Sequence, residues 1–367
     1  MAKGQCTMEN LEVSRLPAQD FWSSQRVFLT GHSGFKGAWL SLWLEKMGAE
    51  VYGLSLPPLS QPNLFELLSP FQKSASEFGD IRDRNVVRHA IKSFQPTIAI
   101  HMAAQPLVRR SYRDPLETFA VNVMGTANFL ESLRGTPGLK AVLIITTDKV
   151  YRNTSTGKPF SENDPLGGHD PYSASKAAAE LVTASWTHSY FTDLGVEVAT
   201  ARAGNVIGGG DWSEDRLIPD VWRAVMTGRP VELRYPNATR PWQHVLEPLA
   251  GYLVFLEALS SGNKDLPKAL NFGPSAGDEL TVSQVADIMA RSLGASHGWV
   301  ASKDPVFAEM PVLSLDASLA TASLHWRPAL TAHKALEWTA EWYRRVNAGE
   351  NAREVSLEQI QRYIERA

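Results

Sequence analysis

The sequence predicts an α/β fold with a doubly wound parallel sheet and a smaller, mostly C-terminal α/β lobe. Two observations support this prediction. Short apolar runs alternate with helical patterns through the first half of the chain, and the first of these runs passes into a glycine-rich turn. Such alternation is typical of a parallel sheet with helices on both faces. After about Gly204 it gives way to loops rich in Gly, Pro and Trp.

Buried strands are predicted where a short apolar run is bounded by turn residues. They cover 26–31, 50–54, 97–101, 141–147 and 196–201. Helices are predicted where apolar residues recur at helical spacing. They cover 37–47, 86–94, 281–293 and 333–346, and the third of them begins at a capping threonine.

The same patterns divide the chain into four parts. Residues 1–20 show no hydrophobic period and are expected to form a flexible N-terminal arm. A dinucleotide-binding domain is predicted over 21–204 and a mainly substrate-binding lobe over 205–346. Whether some segments of 205–346 return to the first domain is left open. The last part, 347–367, is expected to be a tail or a helix.

Charge and hydropathy exclude several kinds of partner. The 367 residues carry a formal net charge of −3, so the chain lacks the basic surface expected of a nucleic-acid or anionic-membrane binder. No apolar run is long enough to cross a bilayer, and the first residues lack the basic start and apolar run of a secretory signal. A cytoplasmic enzyme is therefore expected.

Cysteine and histidine usage gives no reason to expect a metal or a catalytic thiol. Cys6 is the single cysteine, which rules out an intrachain disulfide or a cysteine zinc site, and its polar surroundings argue against catalysis. The nine histidines do not cluster at metal-ligand spacing. No metal is expected.

A glycine-rich turn joins the first predicted strand to the first long helix. Its three glycines suit a tight turn, a close approach of backbone to phosphate, and close packing of helix on strand. The helix N-terminus adds free N–H groups and a positive dipole for an anion. We therefore predict a Rossmann-type domain that binds a dinucleotide here, through Gly31, Ser33, Gly34, Phe35, Lys36 and Gly37.

The choice between NAD and NADP depends on the second predicted strand. An acidic residue at the end of that strand normally binds the adenosine ribose of NAD, but here Leu56 is followed by Pro57 and Pro58. No arginine that could receive a 2′-phosphate stands there either. NAD is the expected cofactor, although this strand end does not decide between the two.

Tyr172 and Lys176 open a predicted helix after Asp170 and Pro171. At a spacing of i, i+4 they lie on one face of that helix and can face one pocket. A free tyrosine has a pKa of about 10, and an adjacent ammonium and a nicotinamide cation would both favour its phenolate. Tyr172 is therefore the predicted base, with Lys176 as its partner.

A second acid–base pair follows the predicted strand that starts at Ala141. Ligands of open parallel sheets bind beyond such strand ends. Thr147 can donate a hydrogen bond to a substrate oxygen, but Asp148 and Lys149 supply proton chemistry that a simple oxidation does not need. The three residues therefore predict a reaction with an additional proton-transfer step.

These motifs together resemble the extended short-chain dehydrogenases/reductases. That group combines glycines at this spacing with a Tyr-x-x-x-Lys pair on a later helix. The resemblance implies further cofactor contacts from Asp80, Ile81, Ala103, Ala104, Gln105, Tyr172 and Lys176.

Within that group the sequence resembles the sugar-nucleotide 4,6-dehydratases. These carry Thr-Asp-Glu where this chain has Thr147, Asp148 and Lys149, and Thr-Asp-Lys is similar to the CDP-glucose 4,6-dehydratases in particular. The segments 105–112, 203–212 and 240–245 are similar to them as well. The resemblance implies transient oxidation of CDP-glucose at C4, loss of water across C5 and C6, and hydride return to C6, in deoxysugar synthesis for lipopolysaccharide.

The same resemblance assigns roles to the second acid–base pair. Asp148 would be the acid at the departing C6 oxygen. Lys149 would be the base at C5, or else a cation that stabilises the enolate oxygen while another group takes the C5 proton.

The diphosphate of such a substrate needs cations. Predicted loops offer Arg109, Arg216, Arg234 and Arg240, of which Arg216 and Arg240 lie in or beside the similar segments. Two tryptophans would flank the sugar or base unless they belong to the core. The predicted substrate-binding residues are Gln105, Arg109, Asn205, Trp212, Arg216, Arg240 and Trp242.

Other functions remain open at this stage. A 4,6-dehydratase or 4-epimerase acting on another nucleotide sugar would use the same fold, although an epimerase does not need Asp148 and Lys149. A non-catalytic NAD(P)-sensing regulator would not need Thr147, Tyr172 and Lys176 together. A helix near 118–133 and the helix after Tyr172 could together supply an interface between subunits. We therefore expect a homodimer or homotetramer.

Overall fold

The computed structural model describes residues 14–71, 75–153, 157–295, 298–303 and 312–367. Cys6 and residues 1–13 of the predicted arm lie outside the described residues. Within these ranges the strands are β1 (Arg26–Thr30), β2 (Glu50–Ser55), β3 (Ala75–Phe78), β4 (Ile98–His101), β5 (Ala141–Ile145), β6 (Glu197–Ala203), β7 (Val206–Ile207), β8 (Val231–Leu233), β9 (Thr239–Arg240), β10 (Gln243–His244), β11 (Ala269–Phe272), β12 (Leu280–Thr281) and β13 (Trp299–Ala301).

The α-helices of the same ranges vary in length from 4 to 16 residues. They are α1 (Gln19–Trp22), α2 (Phe35–Lys46), α3 (Leu64–Leu68), α4 (Arg84–Phe94), α5 (Val108–Arg113), α6 (Pro115–Phe119), α7 (Gly125–Leu133), α8 (Pro171–Trp186), α9 (Leu217–Met226), α10 (Leu246–Ser260), α11 (Val282–Ser292), α12 (Ser318–Leu324), α13 (Ala332–Asn347) and α14 (Ala352–Arg366). Ala120–Met124 and Thr187–Phe191 are π-helical turns, and Asp148–Val150 and Thr192–Leu194 are 3-10 turns.

The central sheet consists of seven parallel strands in the order β11-β6-β5-β4-β1-β2-β3. Successive side chains of a strand point to opposite faces, and both faces of this sheet are covered. Val27 and Leu29 of β1 belong to a core that includes residues of α2, α10 and α13, whereas Phe28 belongs to a second core with residues of α4 and α7. This arrangement confirms the predicted doubly wound α/β sheet.

All five predicted strands are present, with ends shifted by at most two residues. Two edge strands were not predicted. β3 has little apolar character and is mostly exposed, so it carries no buried-strand pattern. β11 comes from the C-terminal half of the chain and pairs with β6, with Leu270 opposite Ala201. A segment of 205–346 thus returns to the central sheet, while the predicted domain boundaries themselves stay a prediction.

The remaining strands form small sheets beyond β6, in which β7 pairs with β10, β9 with β12 and β8 with β13. The helix predicted over 281–293 is α11, and its N-terminus has a capping box between Thr281 and Gln284. Residues 14–20 of the predicted arm are tied to the fold, since Ser14 N–H donates to the Ala367 carbonyl (3.1 Å) and Arg15 pairs with Glu257 (3.2 Å). Among the described helices, none is both long and apolar enough to cross a membrane.

Candidate active site

A cleft of about 1110 Å³ runs along the carboxyl edge of the central sheet. It is lined by residues that follow several strands of the sheet, including Gly31 after β1, Ala103 after β4, Thr147 after β5 and Asn205 after β6. Because β1 lies between β2 and β4, the strand order reverses at this point, which is where open α/β sheets bind ligands.

The glycine-rich turn forms one end of the cleft and fits a dinucleotide pyrophosphate. Gly31 has φ +77°, and a Cβ added there would lie 2.7 Å from the Ala103 nitrogen. A Cβ on Gly37 would lie 2.1 Å from the Gly31 carbonyl oxygen. Gly34 is the N-cap of α2 and offers no capping side chain, so the first N–H groups of α2 remain available to an anion.

Two serine hydroxyls lie at the end of β2, where the acidic residue is missing. The Ser55 hydroxyl donates to Ser33 Oγ (2.8 Å), and the Ser33 hydroxyl donates to the Leu56 carbonyl (2.7 Å). Further along the cleft, Asp80 is held by Arg82 (2.5 Å), whose hydrogen bond is the main cause that lowers the pKa of that carboxyl. Asp80 and Ile81 both line the cleft, as a cofactor contact requires.

Lys36 extends to the other end of the site. Its Nζ donates to the Tyr252 hydroxyl (3.0 Å) and lies 4.9 Å from the centroid of that ring. Burial lowers the pKa of Lys36 to about 7, and repulsion by Lys176 and Arg216 adds to the effect. The amine therefore belongs to the reacting end of the cleft as well as to the glycine-rich turn, and nothing in the sequence near Lys36 pointed to Tyr252.

Gln105 is committed to the loop after β4. Its Nε2 donates to Thr118 Oγ1 (2.9 Å), its Oε1 accepts from the Leu107 N–H (2.7 Å), and its own N–H donates to Asn122 Oδ1 (2.8 Å). The side chain is buried, although part of the residue lines the cleft beside Ala103 and Ala104. These bonds give Gln105 a loop-holding role that the prediction of a substrate contact did not include.

Tyr172 and Lys176 lie in the first turns of α8, which Asp170 caps by accepting from the Ser173 N–H (2.9 Å). Both side chains are buried and line the cleft. The Lys176 ammonium donates to the Ile145 carbonyl (3.0 Å), and burial lowers its pKa to about 8.

Burial also dominates at the phenol. It raises the pKa of Tyr172 to about 12, while a hydrogen bond with Thr147 and the charge of Arg216 act in the opposite direction. The expectation that the Lys176 ammonium and a nicotinamide cation favour the phenolate stays a prediction. In the protein alone the phenol is neutral, because its desolvation outweighs the nearby positive charge.

Thr147, Asp148 and Lys149 form the turn directly after β5. Asp148 is fully buried, and its Oδ1 accepts from Thr147 Oγ1 (2.9 Å) and from Lys149 Nζ (3.0 Å). Its Oδ2 has no partner among the described residues and lies 3.1 Å from the point where a Cβ of Gly204 would stand. Thr147, Lys149 and Gly204 line the cleft, so the carboxylate sits immediately behind its wall.

The four arginines expected to meet a diphosphate all line the cleft: Arg109, Arg216, Arg234 and Arg240. Asp215 gathers two of them, since its Oδ1 lies 2.6 Å from Arg109 Nη1 and 3.6 Å from Arg234 Nη1. Arg240 is buried and donates to the Thr239 carbonyl (2.8 Å). Sequence reasoning missed Asp215, because a loop aspartate carries no signal in the sequence of the arginines that it contacts.

Asn205 and the two predicted tryptophans also reach the cleft. Asn205 Oδ1 is buried and lacks a hydrogen-bond partner within the described residues. The Trp242 indole is 4% exposed and donates to the Leu280 carbonyl (3.0 Å), while Trp212 packs edge-on against Trp342 (5.8 Å between centroids). Both tryptophans therefore help to build the core as well as the cleft wall.

Comparison with known proteins identifies the family. Residues 27–273 match the NAD dependent epimerase/dehydratase family. The chain belongs to that family. It is 43% identical to the CDP-glucose 4,6-dehydratase of Salmonella typhimurium over 94% of this chain and 98% of the relative, which confirms the resemblance seen in the sequence motifs. NAD is therefore the cofactor of this cleft, although β2 ends without an acid.

Solved structures show the same fold. The UDP-glucose 4-epimerase of Thermus thermophilus, in complex with NAD, matches with a TM-score of 0.74 and 25% identity over 87% of this chain and 99% of that one. The dTDP-glucose 4,6-dehydratase of Bacillus anthracis matches with a TM-score of 0.74 and 21% identity over 89% and 98% of the two chains. Both support the doubly wound sheet.

The pKa of Tyr172 predicts a pH-dependent affinity for NAD⁺. The nicotinamide cation lowers the pKa of the phenol from about 12, so binding releases a proton and strengthens as the pH rises. Between pH 6 and pH 9 the dissociation constant should fall by up to about tenfold per pH unit, measured by calorimetry.

The Tyr172→Phe variant is the control for this experiment. Lys36 and Lys176, with pKa values of about 7 and about 8, titrate in the same range in both proteins, so only the difference between the proteins reports on the phenol. Equal pH dependence in wild type and variant would contradict the prediction.

Proposed function

We propose that this chain is a CDP-glucose 4,6-dehydratase, which converts CDP-glucose into CDP-4-keto-6-deoxyglucose and water. The observation that carries the proposal is the contact between Asp148 and Lys149 (3.0 Å) beside Thr147. Tyr172 and Lys176 suffice for an oxidation, and the extra acid–base pair suits an elimination. The 43% identity with the Salmonella typhimurium CDP-glucose 4,6-dehydratase over nearly the whole chain supports CDP-glucose as the substrate. A role in deoxysugar synthesis for lipopolysaccharide is part of the same proposal.

The proposed reaction uses each group of the site once. Tyr172 takes the proton of the C4 hydroxyl, and Thr147 donates a hydrogen bond to the same oxygen. NAD, when bound in the cleft, would supply the acceptor for hydride from C4 and the donor of hydride to C6. The new C4 carbonyl makes the C5 proton acidic. Lys149 either removes this proton or stabilises the enolate as a cation while another group removes it. Asp148 protonates the C6 oxygen, which leaves as water, and C5 takes up a proton from solvent as hydride enters C6.

The four arginines named above, which line the cleft, fit the diphosphate of this substrate. Arg109 and Arg234 both lie near Asp215 and can exchange that carboxylate for phosphate oxygens. Asn205 lines the same cleft, and its side-chain amide can donate hydrogen bonds to phosphate oxygens.

The substrate is tested by incubating the NAD-loaded protein with CDP-glucose, UDP-glucose, dTDP-glucose and GDP-mannose in turn. We expect a 4-keto-6-deoxy product, detected by its alkaline absorbance, with CDP-glucose as the preferred substrate. A product from another nucleotide sugar alone would move the assignment to a different dehydratase. Conversion of UDP-glucose into its C4 epimer without loss of water would instead support the epimerase alternative.

Replacement of Lys149 separates its two possible roles. In the Lys149→Met variant, exchange of the C5 proton with deuterated solvent should vanish if the amine is the base. Slowed exchange would assign the proton to another group and leave Lys149 as the cation that stabilises the enolate. NADH formation with CDP-glucose, followed at its absorbance band, shows in the same sample that the C4 oxidation still occurs.

We also propose that the chain works in the cytoplasm, where CDP-glucose and NAD are dissolved. We propose further that it forms a homodimer through α6 and α8. The two helices lie side by side. Their outer surface, with the adjoining turn, exposes Leu116 (82%), Met124 (57%) and Leu181 (62%). Exposed apolar side chains on neighbouring helices suit an interaction surface, and a second copy would bury them as two helices from each subunit pack together.

The dimer is tested by changing that surface. The double variant Leu116→Glu/Leu181→Glu should sediment as a monomer at concentrations where the wild type is dimeric, because two charges would be buried in an apolar interface. Met226→Glu is the matched control, since Met226 is 44% exposed on α9 in the smaller lobe. A wild-type monomer, or a double variant that remains dimeric, would contradict this interface.

A further inference from the structure

A buried ion pair lies beneath the catalytic turn. Arg202 on β6 donates through Nε to Glu180 Oε1 (3.0 Å) and through Nη2 to Glu180 Oε2 (2.8 Å), and both side chains are at most 5% exposed. Removing two charges from water is costly, and such pairs often contribute little net stability compared with apolar residues of similar size. Their position relative to the site therefore needs a further explanation.

Both ends of the catalytic turn are attached to this one ion pair. At the first end, the Thr146 hydroxyl donates to Glu180 Oε1 (2.5 Å). At the other end, the Tyr151 hydroxyl accepts from Arg202 Nη1 (2.9 Å). Thr147, Asp148 and Lys149 lie between these two anchors, so a single bidentate pair sets the distance across the turn.

The second anchor is itself rigid. The Tyr151 hydroxyl donates to Asn271 Oδ1 (2.6 Å), and its ring stacks on Phe160 with centroids 4.9 Å apart and planes 4° apart. Burial raises the pKa of Tyr151 to about 12. The phenol is therefore a neutral hydrogen-bonding group that holds a position, and it is not placed to act as a base.

Within the turn, the side-chain bonds of Asp148 and Lys149 are to each other and to Thr147. Asp148 Oδ1 is bonded to Thr147 and to Lys149, while Asp148 Oδ2 lacks a partner among the described residues. The location of this acid–base pair thus follows from the backbone that carries it. Tyr172 and Lys176 differ in this respect, because they stand on α8, and Lys176 bonds to the Ile145 carbonyl on the near side of the first anchor.

We propose that Tyr151, together with the Glu180–Arg202 pair, is a positioning residue for the elimination step: it keeps Asp148 and Lys149 against C5 and C6 of the sugar. This inference rests on the proposed function. The oxidation at C4 depends on α8 and on the first anchor, whereas the elimination also depends on the second. Loss of the Tyr151 hydroxyl should therefore slow the second half of the reaction selectively.

The test compares Tyr151→Phe with wild type, both loaded with NAD and supplied with CDP-glucose. The variant keeps the ring that stacks on Phe160 and loses only the anchoring hydroxyl. We expect kcat to fall by about ten- to a hundredfold, since a displacement of about 1 Å can cost that much. We also expect NADH absorbance to build up during turnover and C5 exchange with deuterated solvent to slow, because oxidation now outpaces elimination.

Thr200→Val is the matched control. Thr200 donates to Glu180 Oε2 (2.7 Å), so this change removes a hydrogen bond of the same kind from the same ion pair without touching the catalytic turn. Thermal unfolding of both variants measures the loss of stability in each. The control should not accumulate NADH, even where its melting temperature falls as far as that of Tyr151→Phe.

Three outcomes would overturn the inference. Equal slowing of oxidation and elimination in Tyr151→Phe would make the hydroxyl a general structural support. The same NADH accumulation in Thr200→Val would trace the effect to stability of the ion pair. A wild-type protein that does not dehydrate CDP-glucose would overturn the proposed function and this inference with it. Normal wild-type turnover, with an unchanged ratio of oxidation rate to elimination rate in Tyr151→Phe, would overturn this inference alone.

Discussion

The parallel direction of the seven central strands is the constraint on which the site depends. Because the strands run one way, the carboxyl ends of β1, β4, β5 and β6 meet at one edge, and residues far apart in the chain line a single cleft. Close packing at this edge requires glycine at Gly31 and Gly37, where a Cβ would collide with backbone atoms. The glycine-rich turn is therefore packed against the end of the sheet, and it lines the same cleft as the catalytic turn.

Burial controls the chemistry of this cleft. The same desolvation that lowers the pKa of Lys36 to about 7 and that of Lys176 to about 8 raises that of Tyr172 to about 12. The protein alone thus disfavours charge on all three groups. A nicotinamide cation adds the positive charge that a phenolate needs, which couples the activation of Tyr172 to the presence of the cofactor.

Hydrogen bonds behind the cleft hold the reacting groups in place. Glu180 and Arg202 anchor the turn after β5, and Gln105 holds the loop after β4. Glu180 stands on α8, Arg202 on β6 and Gln105 in the loop after β4, so these bonds join elements that are separated in the sequence. Their cost in desolvation is offset by nearly complete hydrogen bonding, which is the condition under which buried polar groups are tolerated.

The sequence by itself determined the features that depend on local spacing. Apolar runs predicted the interior strands, three glycines predicted the phosphate cradle, and the i, i+4 spacing placed Tyr172 and Lys176 on one face of a helix. Tertiary structure alone decided which distant groups meet: Asp215 with two arginines, Lys36 with Tyr252, and Arg202 with Glu180. These contacts arise from strand order and helix packing, so short-range patterns contain no record of them. For the same reason Gln105 and Trp242, predicted as substrate contacts, have polar atoms that bond within the protein.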